Sequence, residues 1–532
     1  MRRAAILLFI VADLLTVLPV PAQVRGQATV PQYGGTYRRP LSNNPSTLDP
    51  ALVSDNYGFT VAQQIFDGLV QYDGALTITP AIAQSWKASR DGLAWTFYLR
   101  KGVRFHNGRE VTADDAVYSF MRMLDPKISS KAAQAFLKIK GANDFVEGRS
   151  RTIQGLRAVD RYTLQIELAE ASAPFVASLA IGYAKIVPRE AIEAPGPVFG
   201  NRPVGTGPFK FSRWKKDQEI TLEANQDYYA GRPYLDQLEY RIFPGQHEDA
   251  MFGRFEQGEL EDTIVPAAEL DRVQGNSRYR FVRRPILRVR FFGLNTTQGP
   301  LSNRLLRQAI VTALDREAIN REINKNRYKA AQGFLPPGTY GYDPQFRPYP
   351  FDPMRAKSLL ARAGYPEGKG LPVLQIWSSV KSNDIEREHD AIQRYLADVG
   401  IRVEFQYNTN WPDFNSQVYE GKYPIFRYGW LADVPEPENF LYKLFHSQSR
   451  SNLTRYRDER VDRLLDGARV EQSYNKRIGL YREAERLIME DSPVIPLNYD
   501  SYERLFQPYV QSIEINALGD PYIPMRKIWL AK

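Results

Sequence analysis

The chain has 532 residues, of which 43% are hydrophobic and 25% charged, a composition that suits an ordinary globular protein of two or three domains. Its formal net charge of +9 is spread along the sequence without a lysine or arginine block, which excludes a nucleic-acid patch. The lack of any cysteine excludes disulfides, thiolate chemistry and cysteine-based metal sites.

Taken in chain order, the first feature is a targeting segment. Arg2 and Arg3 precede an apolar run from Ala4 to Val20, and Val20-Pro-Ala22 resembles a small-residue cleavage site, so residues 1–22 are expected to be a signal peptide. Asp13 interrupts the run and argues against a permanent span. With no cysteine to carry a lipid, the mature protein is expected to be free in a periplasm. Trp95 to Arg100 and Tyr162 to Leu168 alternate like half-buried strands. Between them, Asp114 and Asp115 fall in the first turn of a helix after Thr112, where they complement the dipole. Gly207 to Phe211 followed by Glu219 to Glu223 predicts an antiparallel pair, with Gly205-Thr-Gly207-Pro208 as a tight entry turn. Arg278 to Arg290 reads as a strand with one wet face.

The second half turns helical. Leu305, Leu306, Ala309, Ile310, Ala313 and Leu314 form one stripe, predicting a helix from Arg304 to Ile319. Another helix is punctuated by Asp352 as cap, Pro353 in its first turn and Gly364 at its end. Glu386 to Val399 is amphipathic and passes through Gly400 into the alternating strand Ile401 to Gln406, as expected of an α/β lobe. Helices near 459–470 and 475–490 precede a strand at Val494 to Leu497. No repeat is evident, and the predicted fold class is α/β, an assembly of lobes with a cleft between them.

Catalytic patterns are missing. The four histidines, His106, His247, His389 and His446, show no i, i+4 pair, and neither an HExxH nor a G-x-S-x-G motif is present. His247 beside Glu248 and Asp249 reads as a solvated loop. Gly364 to Lys369 is one residue short of a phosphate loop and follows a helix. No metal, cofactor or catalytic residue is expected.

The segment Arg427-Tyr-Gly-Trp430-Leu-Ala-Asp433, preceded by Trp411, carries the functional signal. Asp433 can receive an ammonium, Arg427 can fork onto a carboxylate, and Gly429 leaves bare backbone between them. If the stretch is extended throughout, Arg427, Gly429, Leu431 and Asp433 share one face, and six steps of roughly 3.3 Å span about 20 Å, room for roughly three to four ligand residues. An edge strand with a core tryptophan is the simpler reading of these residues alone.

Nearly the whole mature chain resembles the family 5 extracellular solute-binding proteins of ABC importers, particularly the oligopeptide-binding type. The ordered landmarks are Leu48-Asp-Pro50, Ile65-Phe-Asp-Gly-Leu69, Trp95 to Arg100, Val111-Thr-Ala-Asp-Asp115 and Pro203 to Phe209. They continue with Arg307 to Arg316, Ala356 to Tyr365, Gly429 to Asp433 and Glu436 to Leu441. The resemblance implies a two-lobed periplasmic-binding-protein fold (class II, cluster C) with a small inserted domain. Residues 29–67, 186–285 and 500–532 would form one discontinuous lobe, 68–185 the insert and 286–499 the other lobe. It implies that Asp433 pairs with a peptide ammonium, that Trp411 and Trp430 line side-chain pockets, and that Arg427 meets a C-terminal carboxylate. Tyr499 would be a cleft tyrosine, and Ser54, Asp55 and Asn56 would offer backbone from the opposing lobe. A tyrosine often found in the stretch matching Ser129 to Ala135 is absent. The implied partners are a short peptide, permease subunits and ATPase subunits, with the protein itself a monomer. Oligosaccharide, nickel chelate and haem are the alternative ligands within the family, and a hydrolase is the more distant reading.

Overall fold

The computed structural model describes residues 30–53, 55–128, 130, 133–196, 198–244 and 248–532, so the expected signal peptide, Ser54 and His247 lie outside the described residues. Three large apolar clusters organise the chain. One runs from Tyr37 and Leu41 through Phe209 and Tyr240 to Met525 and Leu530, defining the first lobe. A second runs from Leu69 to Ile186 and defines an inserted body. The third gathers Leu287 to Tyr499 and defines the second lobe.

Each cluster covers a sheet. In the first lobe, Thr36–Leu41 pairs parallel with Gln237–Ile242, and Glu219–Ala224 and Phe209–Lys215 continue antiparallel. The expected pair after Gly205-Thr-Gly207 is therefore present. The turn needs its glycines: Gly207 N–H donates to the Ile65 carbonyl at 2.8 Å, and a Cβ at Gly205 would collide with that oxygen. The inserted body carries the antiparallel order Ala83–Ala88, Ala94–Leu99, Thr163–Glu167, Leu156–Asp160. Against it packs the helix Ala113–Leu124, whose start is fixed by Asp115. That carboxylate accepts from Thr112 N–H (2.8 Å) and from the Arg109 guanidinium (2.6 and 3.0 Å).

The second lobe is built on a seven-stranded mixed sheet. Its path is Asp262–Thr263, Val494–Phe506, Arg280–Leu294, Ile425–Leu431, Leu374–Ser378, Val403–Tyr407, with Lys329–Ala330 on the side of Val494–Phe506. Leu374–Ser378 lies parallel to both neighbours, and the helix Asn383–Ala397 precedes Val403–Tyr407. Two departures from the sequence reading are informative. The helix expected over 304–319 is two, Arg304–Thr312 and Arg316–Glu322, because the Asp315 side chain accepts from Ala318 N–H (2.8 Å) and starts a new helix. The strand expected at 494–497 runs on to Phe506. Its polar continuation is neutralised residue by residue: Asp500 by Arg290 (2.6 Å), Glu503 by Arg283 (2.7 Å) and Arg327 (3.0 Å), and Arg504 by Asp262 and Asp520.

Arg280–Leu294 and Val494–Phe506 pair antiparallel along their length and pass from one lobe into the other. Tyr502 and Phe506 pack in the first-lobe core, whereas Leu287 to Leu294 and Val494 to Tyr499 lie in the second. The register slips between Pro285 and Val289 and again between Arg290 and Phe291. Proline supplies no N–H to a ladder, which localises the first slip. The inserted body also touches the second lobe through a hairpin tip. There Leu76 joins the second-lobe core and its carbonyl accepts from Tyr340 Oη (2.5 Å).

Candidate binding cleft

A cavity of about 1000 Å³ opens between the inserted body and the second lobe. One wall carries Lys138, Phe175 and Tyr183, and the other Trp430, Asp433, Glu436, Tyr442, Lys443 and Arg469. The strand Ile425–Leu431 delivers Trp430 to this wall, and its indole N–H donates to the Asn439 carbonyl at 2.8 Å, which fixes the ring's edge.

Asp433 lies in this lining, exposed, in the bend after the strand has ended at Leu431. Among the described residues its carboxylate has no hydrogen-bond or ion-pair partner. Its charge is felt by two tyrosines. Burial, then Asp433, then Asp55 push the Tyr183 phenol up to about 12. Burial and Asp433 also raise Tyr522, whose hydroxyl accepts from Gly182 N–H at 3.2 Å.

The structure corrects several expectations. Because the strand stops at Leu431, alternation does not carry to Asp433, and the ruler of about 20 Å from Arg427 does not apply. Arg427 does not face the cleft with Trp430. It is buried on the opposite face, paired at 3.1 Å with Glu388 of the helix Asn383–Ala397. A planar guanidinium that deep is held by the nearest buried carboxylate. Tyr499 is not a cleft residue either. It is 1% exposed in the second-lobe core, its hydroxyl donating to the Gly333 carbonyl (2.9 Å) and accepting from Gly333 N–H (3.2 Å). Gly429 sits mid-strand opposite Arg290, with only ordinary contacts where a Cβ would go.

Asp55 caps the helix Asn56–Ile65, accepting from Gly58 N–H (2.7 Å) and Ser46 Oγ (2.6 Å), so its carboxylate is occupied. Asn56 is exposed at that helix's first position. Phe59, one turn on, packs edge-to-face on Tyr183 at 4.7 Å, which ties this corner of the first lobe to the cleft. Trp411 begins the helix Trp411–Tyr419, and its side chain lies outside the described residues.

The sequence reading missed the opposite wall and the charges that join the walls. Arg469 donates to Glu438 (2.9 Å), stacks over Tyr442 (4.2 Å) and approaches Glu170 of the inserted body (3.6 Å). Lys138 of the inserted body lies 3.8 Å from Glu438 and donates to Ser172 Oγ at 3.2 Å. Arg469 O also accepts from Ala173 N–H (3.2 Å). Glu436, in the same wall, is pushed up to about 7 by burial against the pull of Arg477 at 3.4 Å. Nothing in local sequence joins residues 138 and 170 to 438 and 469; only the fold does. Among the described residues no cluster of three or more histidine or acidic side chains forms a metal cage.

Two lobes bridged by paired strands, with a cleft between the second lobe and the inserted body, define a two-lobed α/β periplasmic-binding-protein fold. The chain belongs to the bacterial extracellular solute-binding proteins, family 5, whose profile matches residues 77–452. It is 32% identical to haem-binding protein A of Haemophilus influenzae over 85% of each chain. The unliganded open form of the periplasmic murein tripeptide-binding protein MppA superposes with a TM-score of 0.84 at 26% identity, covering 94% of this chain and 98% of that one. DppA of Helicobacter pylori in complex with the peptide STSA gives 0.73 at 29% identity, covering 94% and 99%. Among the described residues no helix is long and apolar enough to cross a membrane.

Proposed function

We propose that this chain is the substrate-binding component of an ABC importer, capturing short peptides in extended form between its lobes and presenting them to a membrane permease driven by ATPase subunits. The observation that carries this reading is the Asp433 carboxylate, without a partner among the described residues, in the wall of a cavity of about 1000 Å³ between the inserted body and the second lobe. In a closed cleft such a group calls for a cation, and a peptide α-ammonium supplies one. Main-chain hydrogen bonds common to every peptide would provide affinity, and hydrated pockets beside Trp430 would tolerate different side chains. The closer superposition on an unliganded open form than on a peptide complex (0.84 against 0.73) supports an open cleft here. Closure then turns about the slipped register at Pro285 to Val289, moving residues 286–499 toward the rest. In this reading residues 1–22 direct a free, monomeric protein to the periplasm, and no catalysis is involved.

The 32% identity to a haem-binding protein gives one competing ligand. Calorimetry with di- to pentapeptides, haem, oligosaccharides and nickel separates the readings. Micromolar or tighter binding of peptides alone is expected. Binding of haem, sugar or nickel with no response to any peptide overturns the proposal.

A further inference from the structure

Pairing off the charges of the cleft wall leaves an imbalance. Glu438 is neutralised by Arg469 and Lys138, and Glu436 by Arg477. Glu170 lies 3.6 Å from Arg469 and 4.0 Å from Lys138. Three charged lining residues remain, Asp433, Lys443 and Arg450, and among the described residues none of the three side chains has an ion-pair or hydrogen-bond partner. One anion thus stands with two cations.

Their placement is specific. Lys443 Nζ lies 5.8 Å from the centroid of the Trp430 ring, which holds the ammonium over the cleft wall. Trp430 is itself pinned to Asn439 and is three residues from Asp433. Arg450 borders the same cavity from the stretch after the helix Leu441–Phe445. Arg427, the one cation the sequence offered for a carboxylate, is occupied by Glu388.

We propose that Lys443 and Arg450 receive a ligand carboxylate beside the Asp433 ammonium site, so that the cleft selects peptides carrying a carboxylate close to the N-terminus. The inference rests on the peptide reading above and narrows it. A neutral ligand would leave two cations without a counter-charge on closure, whereas a carboxylate accepts from both and offsets their loss of water. Two peptide features supply that group: the terminal carboxylate of a very short peptide, or an acidic first side chain.

Calorimetry on the full chain tests this with two ligand pairs, Ala-Ala-Ala against its C-terminal amide, and amidated Glu-Ala-Ala against amidated Gln-Ala-Ala. At least tenfold discrimination is expected in one pair or both, and the pair that shows it identifies the source. In a Lys443→Met, Arg450→Met variant with an unchanged melting temperature the ratio should fall below twofold. Ratios within twofold in the wild-type protein, or undiminished in the variant, overturn the proposal. Should no peptide bind while haem does, the peptide reading falls separately. The carboxylate site is then decided by haem against its dimethyl ester, equal affinities overturning it. Binding of none of these ligands overturns it as well.

Discussion

Asp433 and Tyr183 line the cleft from opposite walls, close enough that the carboxylate opposes ionisation of the phenol. The two groups come from different bodies, 250 residues apart in sequence, and no element of local structure brings them together. A cation arriving between the walls would meet the carboxylate from one side and the tyrosine oxygen from the other.

Removing that carboxylate should separate binding from folding. Asp433→Ala is expected to weaken peptide affinity at least tenfold, about 1.4 kcal/mol or more, with no change in melting temperature. The side chain makes no internal bond among the described residues, so the fold loses nothing. An unchanged calorimetric affinity would remove Asp433 from the site.

Arg427→Ala should behave in the opposite way. It strands Glu388 in the second-lobe interior, where an uncompensated charge costs about 3–5 kcal/mol. A clear drop in the denaturant midpoint is expected, and pairing the change with Glu388→Leu should recover most of it. A loss of peptide affinity without loss of stability would instead return Arg427 to the cleft.

Tyr499→Phe tests the second displaced residue. The hydroxyl serves both the N–H and the carbonyl of Gly333, so its removal should cost about 1–3 kcal/mol. Peptide affinity measured well below the unfolding transition is expected to stay within twofold.

Glu485 makes stability depend on pH. Its carboxylate accepts from Phe334 N–H (2.8 Å) and Leu335 N–H (2.9 Å), while burial pushes it up to about 7 from an ordinary value near 4.5. The folded state therefore holds a proton that the unfolded state has released, and stability falls as pH rises from about 4.5 through 7. Glu485→Gln keeps an acceptor for both N–H groups without the charge. Its unfolding free energy should match wild type at pH 4.5 and exceed it at pH 8, by up to about 3 kcal/mol. Parallel pH profiles for the two proteins would refute the assignment.

Much of the fold was legible because its signals are local. Asp352 before Pro353 and alternation through Trp95 to Leu99 state their structure in a few residues. The strand Val494–Phe506 is only a third visible in sequence, since the charges that pair Asp500, Glu503 and Arg504 on Arg280–Leu294 and elsewhere are brought to them only by the fold. The site divided in the same way. Trp430 and Asp433 were named from one motif, and the fold puts both in the cleft wall. Arg427 reads as a cleft residue yet lies away from the cleft, because a strand's two faces look alike in sequence until something packs on one of them, and Tyr499, which the resemblance alone offers, is enclosed by the second-lobe core. Tyr183, Lys138 and Arg469 carried no motif at all.

The return of the chain also sets an order of assembly. Tyr37 and Leu41 share their core with Val510, Ile523, Met525, Ile528 and Leu530, while nearly all of the second lobe's core lies between residues 287 and 499. During synthesis the second lobe holds almost its whole interior before the first has received its last apolar side chains. The earliest-made strand meets its partner Gln237–Ile242 midway but waits until the last residues for part of its core, and a ribosome stalled near the end would leave one half finished and the other sticky.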